Sequence, residues 1–578
     1  MLQSLIARQG AGKTLLLSAA ALALLASAAT ARTNDPGYLQ YDGGAQLLGP
    51  NDQPATGSTA GSYGGSGSGS TGGSKFMSGS PTAATLDLSF EGVSQYDTRA
   101  LNGGFSFIPP DTMGAIGATQ FMETSNGGYA VYDKATGAQT ELISDGAFWT
   151  AAGQTEGTYP NGLPLANGDS RVLFDARSQK WIVESFGANL DTIQIAVSTT
   201  SNALGPWKST SFTGFAGGIA DYPTVAIDGK AVYIGTNDFT AGGSFAGETL
   251  NVINRSDLFG ATPTTASLKQ FYTPFSAIVG GADPGFAIQG VNQLSNTDSG
   301  RILAVSIQTS DLIRYDVNNP GKSYATLSQV SYLGTTPYDA NSPGRQPSAL
   351  NPRVIDTLDD RVSSAVWESK GLIYAVHTVT PTGTDHTAVV WTVSDAATNT
   401  LIQEGTIGGN GDGFDYYQGS IAVNAAGQVV IGYDRSGSDP TDGTITFFAQ
   451  TFNPIKGGGG GLVSTGVYLL HVSNTNDYHN GSLDGQAATG RQRWGDYSQV
   501  TVDPSNMENF WMIGEFGREP NDAANGHPGG TGGTRWGTWV SELTLAGVPE
   551  PATWVMMLAG FGLVGASARR ARRTTLAA

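Results

Sequence analysis

Five stretches of the chain share one arrangement of apolar and polar positions. They are RVLFDARSQKWIVESF (171–186), PTVAIDGKAVYIGTNDF (223–239), SSAVWESKGLIYAVHTV (363–379), GSIAVNAAGQVVIGYDR (419–435) and SQVTVDPSNMENFWMIGEF (498–516). Each is a short alternating apolar run, a turn rich in Asp, Asn or Gly, and a second run centred on aromatic or β-branched residues, which is the signature of a β-hairpin. The second runs even end alike, in YIGTND, VIGYDR and MIGEFG. A further strand usually follows, as in DTIQIAVSTTSNALGPW (191–207), ETLNVINRSDLFG (248–260), HTAVVWTVSD (386–395), GTITFFAQTF (443–452) and RWGTWVSELTL (535–545). PPDTMGAIGATQFMETSNGGYAVYD (109–133) and GFAIQGVNQLSNTDSGRILAVSIQTSDLIRYDV (285–317) are weaker copies in first and fourth place.

The copies recur roughly every 50–80 residues, with no convincing helical period between them. Sheets of three or four antiparallel strands repeated about seven times predict an all-β fold, a β-propeller of about seven blades. A sandwich needs no repeat of one hairpin, and a β-helix has a much shorter period. The strand-like TLDLSFEG (85–92) is placed to close the ring by completing the last blade. The glycine run 457–461 and NDYHNGSLDGQAATG (476–490) read as long exposed loop before that blade. Composition agrees. Glycine supplies 81 of 578 residues and charged residues only 13%, which suits turn-dense β structure.

The ends have a different character. Residues 1–31 carry Arg8 and Lys13, no acid, an apolar run, and Ala29 and Ala31 around a cleavage point, the pattern of a secretory signal peptide. Residues 32–83, with GSTAGSYGGSGSGSTGGS at their centre, read as a flexible Gly/Ser linker. Residues 84–546 are the propeller. The terminal segment 547–578 opens on Pro549, Glu550 and Pro551, continues through an uncharged stretch at 553–568, and ends on Arg569, Arg570, Arg572 and Arg573. As a helix at about 1.5 Å per residue the uncharged stretch spans roughly 24 Å, just short of a ~30 Å hydrocarbon core. The arginines would then stay on the cytoplasmic side and the bulk of the chain outside.

That order of PEP, apolar helix and RRARR resembles the PEP-CTERM sorting signal of exopolysaccharide-producing Gram-negative bacteria. The resemblance implies processing by an exosortase near Pro549-Glu550-Pro551. It also implies a transient stay in the inner membrane through the terminal helix, then a place in the envelope, on the outer surface or in the extracellular matrix. The signal is an address that rides on bodies of many functions. The body resembles, more loosely, secreted sialidase and BNR-repeat propellers through PPDTMGAIG, AVSTTSNALGPW, ADYPTVAID and RWGDYSQVTVDP. It has no S-x-D-x-G-x-T-W box and no assignable arginine triad, so sialidase activity is not carried over. Two further motifs are set aside. ARQGAGKT (7–14) lies inside the signal peptide and GFGLVG (560–565) inside the membrane segment, where neither can form a folded phosphate-binding unit.

Without residues 1–31 and 552–578 the chain keeps 24 basic and 48 acidic residues, a net charge of −24. That charge repels nucleic acid and anionic surfaces. Cysteine is absent, which excludes disulfides, thiolate nucleophiles and thiolate metal sites. The five histidines, His377, His386, His471, His479 and His527, show no metal-binding spacing and read as surface or packing residues.

Asp111 (PPDTMG), Asp169 (NGDSRV), Asp221 (IADYPTV), Asp360 (LDDRVS) and Asp496 (WGDYSQV) each stand just before an inner-strand candidate. In a propeller these starts gather at one mouth of the central channel. Close carboxylates raise one another's pKa or recruit a cation such as Ca²⁺, and a pair ~5–9.5 Å apart serves a glycosidase. Alternatively each binds backbone amides of its own turn or the next blade. Glu184, Glu368 and Glu515 border second strands as possible partners. NGDGFD (410–415) lacks the EF-hand spacing and reads as a solvated loop. Trp149, Trp207 and Trp494 are turn aromatics that would stack on sugars or pack between blades. No residue is assigned as catalytic and no cofactor is required. The leading expectation is an exported surface or matrix module that binds polysaccharide. The alternatives are an extracellular glycoside hydrolase or lyase using the channel carboxylates, and a structural matrix protein without a ligand.

Overall fold

A computed structural model describes residues 84–546, apart from breaks at 105–106, 156, 159–161, 166, 294–299, 348–352, 456–458, 481–489 and 522–532, together with the pair Gln46–Leu47. The signal peptide, nearly all of the 32–83 linker, residues 481–489 of the predicted loop and the whole 547–578 sorting segment lie outside the described residues. Among those described, no helix is long and apolar enough to cross a membrane.

The repeats become the blades of a β-propeller. Blade 1 comprises Met113–Ile116, Gln120–Ser125, Gly128–Asp133 and Gln139–Ile143. Blade 2 comprises Gly168–Asp175, Lys180–Phe186, Thr192–Ser198 and Trp207–Thr213. Blade 3 has an inner strand in two pieces, Gly218–Asp221 and Ala226–Ile227, followed by Ala231–Thr240, Phe245–Asn254 and Lys269–Pro274. Blade 4 holds Phe286–Gln293, Arg301–Val305 and Leu312–Asn318, with the short outer pieces Thr326–Leu327 and Ser331–Leu333. Blade 5 holds Val366–Ser369, Leu372–Pro381, Ala388–Asp395 and Leu401–Gly408. Blade 6 holds Phe414–Val423, Val429–Gly437, Thr446–Pro454 and Leu462–Val472. Blade 7 takes Gln499–Val502, Asn509–Pro520 and Thr534–Leu545 from the C-terminal side and Ala84–Ser94 from the N-terminal side.

The closing strand sits where TLDLSFEG was expected, antiparallel to Thr534–Leu545 with Phe90 opposite Val540. It is clasped to blade 1. The buried Glu123 carboxylate accepts the Val93 amide at 3.1 and 3.2 Å, the Thr538 hydroxyl at 2.6 Å and the Tyr132 hydroxyl at 2.8 Å. Blades 4 and 5 are also joined, through parallel pairing of their inner strands from Val291↔Val366 to Gln293↔Glu368.

Seven apolar clusters fill the ring, one in each gap between adjacent blades. Leu173, Ile182 and Val197 of blade 2 meet Ile227, Val232 and Ile234 of blade 3, and Phe121 and Tyr132 of blade 1 meet Trp511 and Ile513 of blade 7. A sheet covered on both faces needs apolar side chains at successive positions, so Trp181, Ile182 and Val183 are all fully buried.

Three departures from the sequence reading have local causes. Short helices do interrupt the strands. Gln95–Leu101 is started by a Ser94–Asp97 capping box, and Asp145–Ala152 by the Ser144 side chain, ending at left-handed Gly153. Gln46–Leu47, inside the expected coil, pairs antiparallel with Phe107–Ile108. The 476–490 stretch is not wholly exposed: Tyr478 and Asn480 are fully buried, with the Tyr478 hydroxyl donating to the Arg493 carbonyl at 3.0 Å.

The repeated glycine of YIGTND has a packing reason. A Cβ on Gly235 would lie 2.2 Å from the Ile288 carbonyl oxygen of the next blade, a backbone atom that cannot swing away. On Gly432 it would meet only side-chain atoms, of Ser420 and Val500 at 3.1 Å each and of Phe447 at 3.5 Å. Gly235→Ala is therefore expected to cost about 1–3 kcal/mol in urea denaturation, and Gly432→Ala distinctly less. Equal costs would contradict this account of the spacing between blades.

Candidate functional site

Most inner strands are entered through a turn in which one residue takes the left-handed conformation. These residues are Asp111 (φ 45°), Asp169 (φ 53°), Tyr222 (φ 50°), Ala287 (φ 51°) and Gln418 (φ 54°). In blades 2, 4 and 6 the pairing slips there, between Gly168 and Arg171, Phe286 and Gln289, and Tyr417 and Ser420. Such a bulge re-aims the side chains around it. Aspartate tolerates this backbone better than most residues, which suits Asp111 and Asp169. In blade 3 Tyr222 takes the position and Asp221 stands one residue earlier, so the aspartates of the repeated motifs are not equivalent residue for residue.

Three of the five predicted aspartates meet. The Asp496 amide donates to Asp111 Oδ1 at 2.7 Å, and Asn126 Nδ2 donates to Asp111 Oδ2 at 2.7 Å. The other end of that amide, Asn126 Oδ1, accepts the Asp169 amide at 3.0 Å. Arg493 Nη2 donates to Asp496 Oδ1 at 3.0 Å. Burial holds the Asp111 carboxyl well above the usual carboxylate range, the Asp496 and Asp169 charges push it further, and Arg493 and the Asp496 amide oppose them. Asp221 belongs to a second group. The buried Glu248 carboxyl beside it is raised first by burial, then by Asp238, with Asp359 and Asp221 adding and Arg361 opposing. Asp360 turns to Tyr338, whose hydroxyl donates to Oδ2 at 2.7 Å. Asp111, Asp169, Asp221, Asp360 and Asp496 are 1%, 2%, 7%, 7% and 6% exposed, so none stands open to a polymer.

The residues that fill this mouth were not singled out by the sequence reading. Tyr497, Arg171, Tyr222, Arg361 and Phe286 form a stack across the axis, drawn from blades 7, 2, 3 and 4 and the segment before blade 5. The Arg171 guanidinium carbon lies 4.2 Å from the Tyr497 ring centre and 4.8 Å from that of Tyr222. Arg361 lies 4.4 Å from the Tyr222 ring and 5.2 Å from Phe286. Planar, weakly hydrated guanidinium groups suit such burial. Arg171 also donates to the carbonyls of Pro223 at 2.9 Å and Ser363 at 3.1 Å, while Arg361 grips Asp359 in a bidentate pair at 2.7 and 2.6 Å. The only sequence signal was a charged residue in an otherwise apolar run, RVLF and DRVSSAV.

The proposed partner acids separate. Glu184 pairs across the ladder with Arg171 and is fully buried. Burial raises its pKa well above the ordinary value although Arg171 opposes the shift, and neither carboxyl oxygen finds a hydrogen-bond donor. Glu515 lies within 3.4 Å of Gln418 Nε2 at the same mouth. Glu368 lies near the other end of the channel, paired with Arg301. The turn tryptophans pack between strands. Trp149 Nε1 donates to the Tyr129 hydroxyl at 3.0 Å, Trp494 Nε1 to Asp434 at 2.8 Å, and Trp207 Nε1 to the Ala203 carbonyl at 2.8 Å. In NGDGFD, Asp412 binds the Phe414 amide and the Tyr416 hydroxyl, and Asp415 binds Arg345. Among the described residues no group of three or more His, Asp or Glu side chains is placed to hold a metal ion.

Comparison with known proteins adds the address. Residues 547–573 match the PEP-CTERM protein-sorting motif. The chain therefore carries a PEP-CTERM tail on a β-propeller body, and the motif implies export, membrane anchoring through the tail and processing by an exosortase. No curated protein matches the chain. Among solved structures, it is similar to the Dos1 propeller at 9% identity, over 80% of this chain and 95% of that one, with a TM-score of 0.37. It is also similar to an endo-arabinase from Bacteroides thetaiotaomicron, at 12% identity over 50% and 93% with a TM-score of 0.26. A third likeness is to Drosophila Semaphorin 1a extracellular domains 1-2, at 8% identity over 68% and 81% with a TM-score of 0.32. Likeness at this level says nothing about ligands.

The buried carboxyls set a pH dependence. Burial pushes Asp434 up to about 8, against the hydrogen bond from Trp494. Between the unfolded value near 4 and that pH, the folded state holds a proton that the unfolded chain has lost. Stability from this group is complete in acid and declines as pH rises, by up to ~1.4 kcal/mol per pH unit. Asp434→Asn, which mimics the protonated acid, is expected to raise the denaturation midpoint at pH 8 and to flatten its fall between pH 5 and 8. An unchanged slope would show that Asp434 is ionised in the folded protein.

Proposed function

We propose that the chain is an exported, envelope-sorted propeller that acts as a binding or interaction module at the cell surface or in the extracellular matrix, with polysaccharide as its ligand. In this reading residues 1–31 are removed on export from a Gram-negative, exopolysaccharide-producing cell. Exosortase then cuts near Pro549–Pro551 and leaves the propeller outside, tethered or released.

The observation that carries the non-catalytic reading is the use already made of the channel aspartates. A glycosidase needs two carboxyl groups facing the same open space, with room between them for a sugar and, in inverting enzymes, a water. Here Asn126 bridges Asp111 to Asp169, Arg493 holds Asp496, Tyr338 holds Asp360, and the Tyr497–Arg171–Tyr222–Arg361 stack fills the axis. The carboxyls work as the internal framework of the mouth.

The test is a glycan array together with an activity screen on the producing organism's own polysaccharide, run on the native protein and on single Asp→Asn variants at 111, 169, 221, 360 and 496. Binding is expected without turnover, and it is expected to survive in those variants that keep a native melting temperature. Turnover that an Asp→Asn change abolishes in a folded protein would restore the hydrolase or lyase reading. Absence of any binding would favour a matrix protein without a specific ligand.

A further inference from the structure

The opposite ends of the inner strands surround a second mouth of quite different chemistry. There Ile116, Leu173, Ile227, Asn292, Trp367 and Thr501, one each from blades 1, 2, 3, 4, 5 and 7, line a concave space of about 800 Å³ that includes open solvent. Mostly apolar walls with a few convergent polar groups are the usual make-up of a small-molecule site.

Three polar atoms of this lining make no hydrogen bond within the protein: the indole Nε1 of Trp367, the amide Nδ2 of Asn292 and the hydroxyl of Thr501. Asn292 and Thr501 are only 3% and 6% exposed. Native proteins leave few such groups unpaired, because each gives up hydration without return. Asn292 and Trp367 stand directly opposite each other in the parallel ladder between blades 4 and 5, so the two donors belong to one side of that junction. The Asn292 amide is held in orientation, since its Oδ1 accepts the Ile227 amide at 3.0 Å. The two nitrogens call for acceptor oxygens in the ligand, and the apolar neighbours call for C–H surface.

Charge narrows the class. The one carboxylate in the lining, Asp175, is paired with Arg177, also of the lining, at 2.9 Å and with Arg255, so no uncompensated carboxylate faces the space. The processed chain carries −24 overall, which disfavours an anion. An uncharged ring bearing several oxygens and a C–H face fits both demands.

We propose that this second mouth binds a neutral saccharide, a chain end or single unit of a polysaccharide. Trp367 and Asn292 donate to its ring or hydroxyl oxygens, and the Thr501 hydroxyl completes the set. The choice of a saccharide rests on the binding-module reading above, whereas the location of the site rests on the unpaired donors.

The test measures binding of the full exported protein to neutral gluco-, galacto- and manno-oligosaccharides, with uronic-acid oligosaccharides alongside. Trp367→Phe keeps the ring and removes the N–H, and Thr501→Val keeps the shape and removes the hydroxyl. Each is expected to weaken binding of the neutral sugar about tenfold, the effect of one lost hydrogen bond in a buried site, with the melting temperature of Thr501→Val unmoved. Neutral-sugar binding that survives both substitutions overturns the pocket and leaves the binding-module reading standing. Binding confined to the uronic-acid set also overturns the pocket alone. No binding to any saccharide overturns both.

Discussion

The antiparallel pairing of Ala84–Ser94 with Thr534–Leu545 is the contact that makes the ring a ring. Without it blade 7 would have three strands, and the chain leading into blade 1 would not be anchored to the last blade. The pairing brings together residues more than four hundred positions apart. Its lock is polar as well as apolar: the Glu123 carboxylate of blade 1 takes the Val93 amide and the Thr538 hydroxyl, one from each strand of the pair. Phe90 adds a ring contact with Tyr132 at 4.9 Å. Loop closure over so long a chain is entropically costly. The closing strand offsets that cost through its ladder to Thr534–Leu545 and through the burial of Gly92–Ser94 at its end.

Closure creates a second demand at the axis. Seven inner strands converge on a space too dry for free charges. At the end where the strands begin, the chain places carboxyls and guanidinium groups in mutual compensation and separates them with tyrosine rings. Arg171 is central, since it stacks on Tyr222 and Tyr497 and donates to carbonyls of Pro223 and Ser363. At the end where the strands finish, the lining is mainly apolar and the channel stays open. The two mouths therefore differ in what they offer: one is filled by buried carboxyls, guanidinium groups and aromatic rings, the other is a mainly apolar space with three unpaired polar atoms in its lining.

Much of the fold was legible because hairpins are local. Alternation, a turn residue and a second alternation lie within about seventeen residues of each other, and all seven copies became blades. The closing strand was legible because TLDLSFEG had no partner nearby. The axis was harder to read, because its geometry depends on bulges that shift register by one. Asp111 and Asp169 occupy the left-handed position, Tyr222 displaces Asp221 from it, and Asp360 lies in a loop whose partner is Tyr338. Linear spacing cannot reveal those offsets. Arg171 and Arg361 were missed for a related reason, since a charged residue at a strand start looks solvent-facing until the strand is placed at the axis. Trp367 was hidden by its neighbours: in AVWESK it reads as one more buried aromatic, and its unpaired N–H is visible only once six blades surround it.

The central claim is that the aspartate mouth is an internal framework rather than an open site. Carboxyl footprinting at neutral pH, with carbodiimide-coupled amine and mass spectrometry of the native protein, tests it most directly. Asp385, whose side chain is 80% exposed, and the surface residue Asp439 are expected to label readily, while Asp111, Asp169, Asp221, Asp360 and Asp496 stay unlabelled until the protein unfolds. Labelling of Asp169 or Asp221 in the folded protein at a rate comparable to Asp385 would contradict the account.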